Sequence, residues 1–313
     1  MSQKIATREA YGKALVELGK NNQNVVVLDA DLSKSTKTAV FGKEFPDRFF
    51  DMGIAEQNML GTAAGLAAAG KIPFASSFAV FATGRVYDQI RNSIAYPRLN
   101  VKIGATHAGI TVGEDGASHQ AVEDIAMMRC LPNMTVFVPA DAAETRAAVL
   151  AAAEIDGPVY IRLGRSGVPV LHDEGFNFEP GRAIVMREGK DAAVVACGIM
   201  VSAALEAAAI LAAEGISVMV LDMHTVKPLD EQALVAAAKV TGAVVTAEEH
   251  SILGGLGGAV AEVLSEHYPV PVLRVGMRDT FGESGQPREL LEKYGLTADG
   301  IVRAVKQVIL KKK

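Results

Sequence analysis

Tryptophan is absent from this chain, cysteine occurs only twice, and aromatic residues make up only 5% of the sequence. The two cysteines, Cys130 and Cys197, lie far apart and end or interrupt apolar runs, so we expect buried free thiols rather than a disulfide framework. No apolar run reaches the roughly 18 residues that a membrane span needs. Residues 1–7 also do not resemble a signal peptide. These absences predict a cytoplasmic protein without a transmembrane segment, in a reducing compartment.

Long basic runs are missing as well. The formal net charge is −5, and the terminal lysines at 311–313 are most simply a solvated tail. Nucleic-acid binders need a basic surface to neutralise backbone phosphates, so nucleic acid is not an expected partner. A small phosphorylated ligand remains possible.

What the chain does contain is an alternation of short apolar, β-branched runs with helical patterns, over a length of 313 residues that suits two domains. We expect strands near 24–29, 71–76, 100–105, 134–138 and 159–163. The helices expected in this half lie near 8–20, 55–69 and 83–96, with a further one capped by Asp141. Nearly continuous apolar strands alternating with helices predict a parallel sheet covered on both faces.

The periodicity fades between residues 166 and 190, where glycine and proline accumulate. Alternation then resumes, with strands expected at 192–196, 217–221, 243–247 and 270–275. The sequence therefore predicts an α/β fold of two domains, each an open and largely parallel sheet covered by helices. The expected division is a first domain at 1–168, a linker at 169–188 and a second domain at 189–313.

The segment 106–120 is the most informative part of the chain. It follows an expected strand and precedes a helix expected to begin near Ser118, and it holds two histidines, two acids and three glycines. Open α/β sheets bind ligands in loops outside the carboxyl ends of their strands. So many titratable groups and glycines make a poor core segment, and we interpret it as an active-site loop.

Other candidates have both structural and functional interpretations. Glu56 opens an expected helix, where an acid is often a dipole-favoured cap. Phe78 and Phe81 fit either a core cluster or the wall of a planar ligand. Asp31 follows a strand on the ligand side, where solvation alone also accounts for an acid. The glycines at 254–258 lack the dinucleotide-binding spacing and indicate a tight turn.

Taken together, these segments resemble transketolase over its C-terminal two-thirds. Single motifs are weak evidence, but their order along nearly the whole chain is specific. The matching segments are 5–8, 29–32, 53–58, 77–81, 106–120, 131–134, 161–165, 225–230 and 248–250.

The resemblance implies a thiamine diphosphate enzyme that moves a two-carbon ketol unit between sugar phosphates in the pentose phosphate pathway. Glu56 matches the glutamate that hydrogen-bonds the pyrimidine ring of the cofactor and so promotes removal of the thiazolium proton. Phe81, with Phe78 beside it, matches the ring packed on the pyrimidine, and Asp31 matches an acid of the same pocket. Glu56 and His119 are the expected catalytic residues. Gly84 stands where some transketolases have a tyrosine.

The substrate side of the resemblance concerns sugar phosphates. Arginine suits phosphate because its planar fork donates two parallel hydrogen bonds. Asp115 matches an acid that recognises a sugar hydroxyl, and His119 matches the histidine near the reacting end of the donor. The positions that match the phosphate-binding residues are Arg8, Ser35, His107 and Arg165.

The sequence has no Gly-Asp-Gly, the motif through which thiamine enzymes hold the diphosphate and its metal; the nearest string is at 113–116, with an inserted glutamate. We therefore expect no metal site here and a separate N-terminal transketolase subunit that carries the diphosphate with Mg²⁺ or Ca²⁺. A dimer of this chain flanked by two such partners, a heterotetramer, is the expected assembly. The alternatives are the beta subunit of a 2-oxoacid dehydrogenase, a deoxyxylulose phosphate synthase-like enzyme, a simple sugar-phosphate binder and a non-catalytic assembly partner.

Overall fold

The computed structural model describes residues 4–173 and 175–312. Residues 1–3 of the first expected domain, Glu174 of the expected linker and Lys313 of the lysine tail lie outside the described residues. The strands, in chain order, are β1 Lys4–Ala6, β2 Val25–Asp29, β3 Phe49–Asp51, β4 Ile72–Phe78, β5 Lys102–Thr106, β6 Thr135–Phe137, β7 Val159–Arg162, β8 Gly167–Pro169, β9 Ile184–Arg187, β10 Ala192–Ala196, β11 Val218–Asp222, β12 Thr225–Lys227, β13 Val244–Ser251 and β14 Val272–Met277.

The helices, in chain order, are α1 Thr7–Asn21, α2 Ser33–Thr36, α3 Ala39–Glu44, α4 Glu56–Ala68, α5 Ala79–Thr83, α6 Asp124–Arg129, α7 Ala142–Glu154, α8 Met200–Ala213, α9 Glu231–Thr241, α10 Leu256–His267, α11 Pro287–Lys293 and α12 Ala298–Ile309. Short 3₁₀ segments cover Pro46–Arg48 and Ile110–Asp115, and Gln89–Ala95 is a π-helix. In the part of the chain that the structure describes, no helix is both long enough and apolar enough to span a membrane.

Two mainly parallel sheets organise the molecule. The larger has the order β12-β6-β7-β5-β4-β2-β3, and the smaller has the order β14-β13-β10-β11-β9. In each sheet only an edge strand is antiparallel: β12 against β6 and β9 against β11. The predicted fold class, α/β with two largely parallel, helix-covered sheets, is confirmed. A separate short antiparallel pair, β1 with β8, joins the beginning and the end of the first half of the chain.

The two halves share one of their cores. A buried apolar layer runs from the first sheet, through residues such as Leu28 and Ile103, to Val195 and Leu221 of the second sheet. Burial of this kind stabilises the fold by roughly 25 cal/mol per Å² of apolar area removed from water. Strand β12, which follows the second sheet's β11 in the chain, completes an edge of the first sheet. Strand β9 lies inside the expected linker, 169–188, and joins the second sheet. The division of the chain into two domains at this linker stays a prediction.

Three local predictions were wrong. The helix expected near Ser118 begins at Asp124, because Gln120 is held by tertiary contacts and its Nε2 donates to the carbonyls of Ile110, Gly113 and Glu283. The helix expected over 83–96 starts later and is mostly of another type, because a turn covers 84–86, residues 87–95 are helical, and Gln89–Ala95 is a π-helix. Thr83 ends α5 with its hydroxyl bonded back to the carbonyl of Ala79 at 2.7 Å, and Gly84 follows with a low helix propensity.

The third wrong prediction concerns a cysteine. Cys197 is buried as expected, but Cys130 is exposed, with its Sγ 3.1 Å from the hydroxyl of Tyr87. The apolar run before it belongs to α6, which ends at Arg129 and leaves the thiol just beyond the helix.

Candidate active site

The candidate site lies where the strand connections of the first sheet diverge. From β2 the chain leads outward to β3, whereas from β4 it leads in the opposite direction to β5, and β2 and β4 are neighbours in the sheet. Ligands in open α/β sheets bind at such a switch point, outside the carboxyl ends of the strands. The ends of these strands carry Asp29, Phe78 and Thr106.

Arg8, Ser35 and His107 meet at this edge of the sheet. The guanidinium of Arg8 donates from Nη1 to the Ser35 carbonyl at 2.9 Å and contacts His107 Nε2 at 3.2 Å. Arg8 Nε is buried and has no hydrogen-bond partner within residues 4–173 and 175–312. Burial, followed by the charge of Arg165, lowers the pKa of Arg8. The charges of Arg8 and Arg165 therefore act on one region, in which His107 also lies.

His107 is neutral in this arrangement. Burial, the charges of Arg8 and Arg165, and then those of His119 and Lys37, lower the pKa of His107 to about 3. Since Arg8 can only donate, His107 Nε2 accepts, and Nδ1 then carries the proton that reaches Thr106 Oγ1 at 2.8 Å. His107 thus orients the guanidinium of Arg8. Its backbone has φ of +57°, which a tertiary contact of this kind must hold in place.

Three rings line the site beside His107. Phe78 stacks on the His107 imidazole with a centroid distance of 3.7 Å, and Phe81 is parallel to Phe78 at 6.0 Å. The ring of His119 stands edge-on to Phe81, with centroids 5.4 Å apart. Phe78 is buried, whereas Phe81 and His119 are partly exposed. Phe81 and His119 therefore keep surface with which a planar ligand could make contact.

Glu56 lies at the first position of α4 and is 6% exposed. Its Oε1 accepts a hydrogen bond of 2.8 Å from Nη1 of Arg85, and the Arg85 guanidinium lies over the Phe81 ring, 4.1 Å from the centroid. Arg85 links the predicted glutamate to the predicted aromatic wall. Sequence reasoning missed Arg85, although its place four residues after Phe81 was an available signal.

Asp31 is exposed at the mouth of the site. Its backbone N–H donates to Asp51 Oδ1 at 3.1 Å, and the same oxygen accepts from the N–H of Gly53 at 3.0 Å, so Asp51 ties together the loops after β2 and β3. Behind it, Asp29 is buried among the hydroxyls of Thr36 and Thr38. Burial raises the pKa of Asp29 to about 6 despite these hydrogen bonds.

Arg165 and Asp115 form the outer part of the loop region. Arg165 Nη1 donates to the Val112 carbonyl at 2.7 Å and to Asp115 Oδ2 at 3.1 Å. Both side chains are more than one-third exposed, so this ion pair is weak and can open to a ligand.

A buried ion pair anchors the same loop from below. Arg162 makes two hydrogen bonds to Asp124, of 2.8 Å and 3.1 Å, and also donates to the carbonyls of Ala121 and Glu249. Burial alone would raise the pKa of Asp124, but Arg162 holds it below its ordinary value. Since Ala121 closes the loop and Glu249 belongs to β13, this pair fixes the loop against the second domain.

The predicted residues thus fall into two adjoining groups. Arg8, Ser35 and His107, with the charge of Arg165 close by, form an anion-binding half. Glu56, Phe81 and His119 form an aromatic half with a carboxylate, and Phe78 joins the two. Asp31 and Asp115 stand at the exposed rim.

Comparison with known proteins finds two family domains in this chain. Residues 3–170 match the transketolase pyrimidine-binding domain, and residues 181–301 match the transketolase C-terminal domain. A Methanocaldococcus jannaschii protein described as a transketolase C-terminal section is 52% identical over 307 residues, covering 97% of this chain and 96% of that protein. The chain belongs to the transketolase family.

Relatives within the family differ in length. The SqwH subunit of the 6-deoxy-6-sulfo-D-fructose transketolase of a Clostridium species is 49% identical, with 97% of this chain and 95% of that subunit covered. The transketolase of Rattus norvegicus is 41% identical over 98% of this chain, which spans 50% of the rat protein.

Two solved transketolase structures resemble the fold throughout. A split-gene transketolase, described as an inactive β4 tetramer, superposes with a TM-score of 0.93 at 66% identity, covering 99% of this chain and 100% of that one. The transketolase of Leishmania mexicana superposes with a TM-score of 0.84 at 29% identity, covering 100% of this chain and 46% of that one.

Proposed function

We propose that this chain is the C-terminal subunit of a split transketolase, which transfers a two-carbon ketol unit from a ketose phosphate to an aldose phosphate. The observation that carries the proposal is the adjacency of the two halves of the site. Two arginines suited to an anionic tail, Arg8 and Arg165, lie near a buried carboxylate with an aromatic wall. A transfer enzyme of this family needs both together.

The residues present fit the pyrimidine end of thiamine diphosphate. Glu56 offers a buried carboxylate, and Phe81 beside it offers a ring face, which are the two contacts a flat aminopyrimidine needs. In the structure the planar, hydrogen-bonding Arg85 guanidinium makes both contacts. The cofactor, when bound, supplies the nucleophilic carbon that carries the two-carbon unit. Glu56 would hold or move a proton at its carboxylate, and Phe81 and Phe78 would orient the ring and exclude water.

The anion-binding half fits the tail of a sugar phosphate. Arg8 Nε and the exposed fork of Arg165 provide directed donors. His107 keeps Arg8 in place, and Ser35 holds the same guanidinium through its carbonyl. Asp115 would accept from a sugar hydroxyl once the tail engages Arg165. His119 would donate to or accept from the reacting end of the donor. A sulfonate tail, as in the substrate named for the Clostridium relative, has the same donor requirements.

The diphosphate and its Mg²⁺ or Ca²⁺ would be bound by a separate N-terminal subunit. Lack of a Gly-Asp-Gly motif in this sequence supports that division, and so does the full-length match to proteins described as a C-terminal section or a split-gene chain. The β4 tetramer reported for one relative suggests that these chains self-associate and need the partner for activity. We infer a heterotetramer with two copies of each chain, acting in the pentose phosphate pathway of the cytoplasm.

Reconstitution tests the proposal. The chain is co-purified with its N-terminal partner, the mass of the complex is measured, and ketol transfer from a ketose phosphate is assayed with thiamine diphosphate and Mg²⁺. We expect transfer by the complex and none by this chain alone. Activity of the isolated chain would contradict the split-subunit proposal. Decarboxylation of a 2-oxoacid without ketol transfer would favour the dehydrogenase alternative.

Glu56→Gln in the complex tests the catalytic assignment. We expect a loss of about 10²–10⁴-fold in turnover with the complex mass unchanged, because general acid–base groups contribute on that scale. Glu262→Gln, at a surface ion pair with Arg129, is the matched control and should leave turnover unchanged. Full activity of the Glu56 variant would remove this residue from the mechanism.

A further inference from the structure

A second cluster of chemically active side chains lies between the two domains. Glu144 is in the first turn of α7, His172 follows β8, and Asp222 ends β11 of the second sheet. One atom from each of the three side chains lies within 4.8 Å of the other two, and all three side chains are buried. No residue of this cluster belongs to the site described above.

The free atoms of the cluster point to a cation. Glu144 Oε1, His172 Nε2 and both carboxylate oxygens of Asp222 are buried and have no hydrogen-bond partner among residues 4–173 and 175–312. His172 Nε2 is 3.8 Å from Asp222 Oδ2. Buried carboxylates without partners are costly, and a cation that accepts their lone pairs would remove that cost.

Asp141 holds two members of the cluster, His172 and Glu144, in position. Its Oδ2 lies 3.3 Å from His172 Nδ1 and also accepts from the backbone N–H groups of Leu171 and His172. Its Oδ1 caps α7 through the N–H of Glu144 at 2.8 Å. When His172 is neutral and its Nδ1 donates to Asp141, its lone pair is on Nε2, on the side of Asp222. A carboxylate that orients a histidine in this way is common behind metal-ligating imidazoles.

Charge balance favours the same interpretation. Three carboxylates share the buried region, and His172 is the one basic side chain that the described residues bring within 4.0 Å of them. Glu144 and Asp222 have free carboxylate oxygens in this region. A divalent cation would neutralise their charges.

We propose that Glu144, His172 and Asp222 bind one divalent cation of the Zn²⁺ or Mn²⁺ class. One imidazole nitrogen with carboxylate oxygens suits these ions. Bonds of about 2.0–2.2 Å place tetrahedral ligands roughly 3.5 Å apart, so the side chains need to close by about an ångström. The cation would clip the start of α7 to the end of β11, and so the first domain to the second.

A surface cleft borders the cluster at His172. His172 forms part of the wall of a cleft of about 590 Å³, together with Ala142 and Ala143 at the start of α7. The charged side chains on this wall are Lys13 and Arg146, and Arg146 is paired with Glu17.

Titration of the chelator-stripped full chain tests the proposal without any partner or activity. Zn²⁺ and Mn²⁺ are each added in a calorimeter, and metal content is measured by mass spectrometry. We expect one equivalent of at least one of these ions to bind and to raise the unfolding temperature. Asp222→Asn should weaken binding by at least about 100-fold, since even supporting residues cost 10–100-fold. Asp299→Asn, on the surface of α12, is the matched control and should bind like the wild type.

The results of these titrations distinguish the proposed cation site from its alternatives. His172→Gln provides a second variant should Asp222→Asn fold poorly, and circular dichroism checks both. If neither ion binds the folded wild-type chain at micromolar concentration, the cluster is a set of proton-sharing acids and the proposal is wrong. Equal binding by the wild type and the folded Asp222→Asn or His172→Gln variant would mean a surface site elsewhere and would also overturn it.

Discussion

Arg85 pairs with Glu56 across 2.8 Å, although the arginine side chain is half exposed and the glutamate is buried. The same guanidinium covers the ring of Phe81. Arg85 therefore makes the two contacts that we assign to the pyrimidine of the cofactor. A ligand that uses Glu56 and Phe81 must displace the Arg85 side chain first.

Arg85→Ala should strengthen the binding of thiamine diphosphate to the reconstituted complex by about two- to fivefold, because a partly exposed ion pair and its cation–π contact contribute about 1 kcal/mol that binding must overcome. Titration of the apo-complex, followed by activity, measures the change. Arg91→Ala, at an exposed arginine bonded to Asn92, is the control and should not alter affinity. Weaker binding by Arg85→Ala would mean that Arg85 contacts the cofactor instead of competing with it.

Arg165→Gln should raise the KM for a phosphorylated donor by about 10- to 100-fold, because hydrogen bonds to charged groups contribute about 1.5–3 kcal/mol. Turnover at saturation should change far less. Steady-state kinetics with the phosphorylated sugar and the same sugar without phosphate provide the measurement. An equal loss with both sugars would argue against a phosphate contact.

His107 should make the stability of the chain depend on pH. Its pKa is about 3 in the folded protein and about 6.5 when unfolded, so below pH 6.5 the unfolded state binds a proton that the folded state does not. The stabilising contribution of neutral His107 is complete above about pH 6.5 and is lost as the pH falls toward 3. Between pH 7 and pH 5, the wild type should lose about 2 kcal/mol more than His107→Gln.

Urea unfolding at both pH values measures this difference. Asp29 acts in the opposite direction, because its raised pKa favours the folded state at lower pH, so only the comparison with the variant isolates His107. His267→Gln, at an exposed histidine, is the control and should follow the wild type. Parallel behaviour of His107→Gln and wild type would show that His107 is protonated in the folded chain.

Arg162→Met should destabilise the chain by about 3–5 kcal/mol, because it leaves the fully buried Asp124 without its counter-charge. The free energy of unfolding in urea gives the value. Arg146→Met removes an exposed pair with Glu17 and should cost less than about 1 kcal/mol. If both variants lost a similar free energy of unfolding, burial of the Arg162–Asp124 pair would not be the cause of its importance.

Regular elements followed from the sequence where local pattern and packing agree. The strand 192–196 is β10, and Asp141 caps α7 through the N–H of Glu144, because apolar runs and capping side chains act locally. The gathering of His107 and Phe78 could be expected from their places at the ends of parallel strands, and that of Arg8 from the family motifs.

Other features depend on contacts that no local pattern encodes. The loop before α6 stays irregular because Gln120 bonds to three distant carbonyls. Arg85 gains its place only when the turn after α5 meets the start of α4. The cluster of Glu144, His172 and Asp222 is assembled from three separate elements, so its members look like unrelated polar residues in the sequence.

The pairing of β12 with β6 has a consequence for how the chain can be divided. Three residues from the second half cover the hydrogen-bonding edge of a strand in the first half. A fragment cut within 169–188 would leave β6 with free N–H and C=O groups, and bare strand edges recruit other chains into aggregates. Recombination or truncation should therefore keep β12 together with β6, and a cut just beyond Lys227 is no better because it would expose the edge of β10 that pairs with β13.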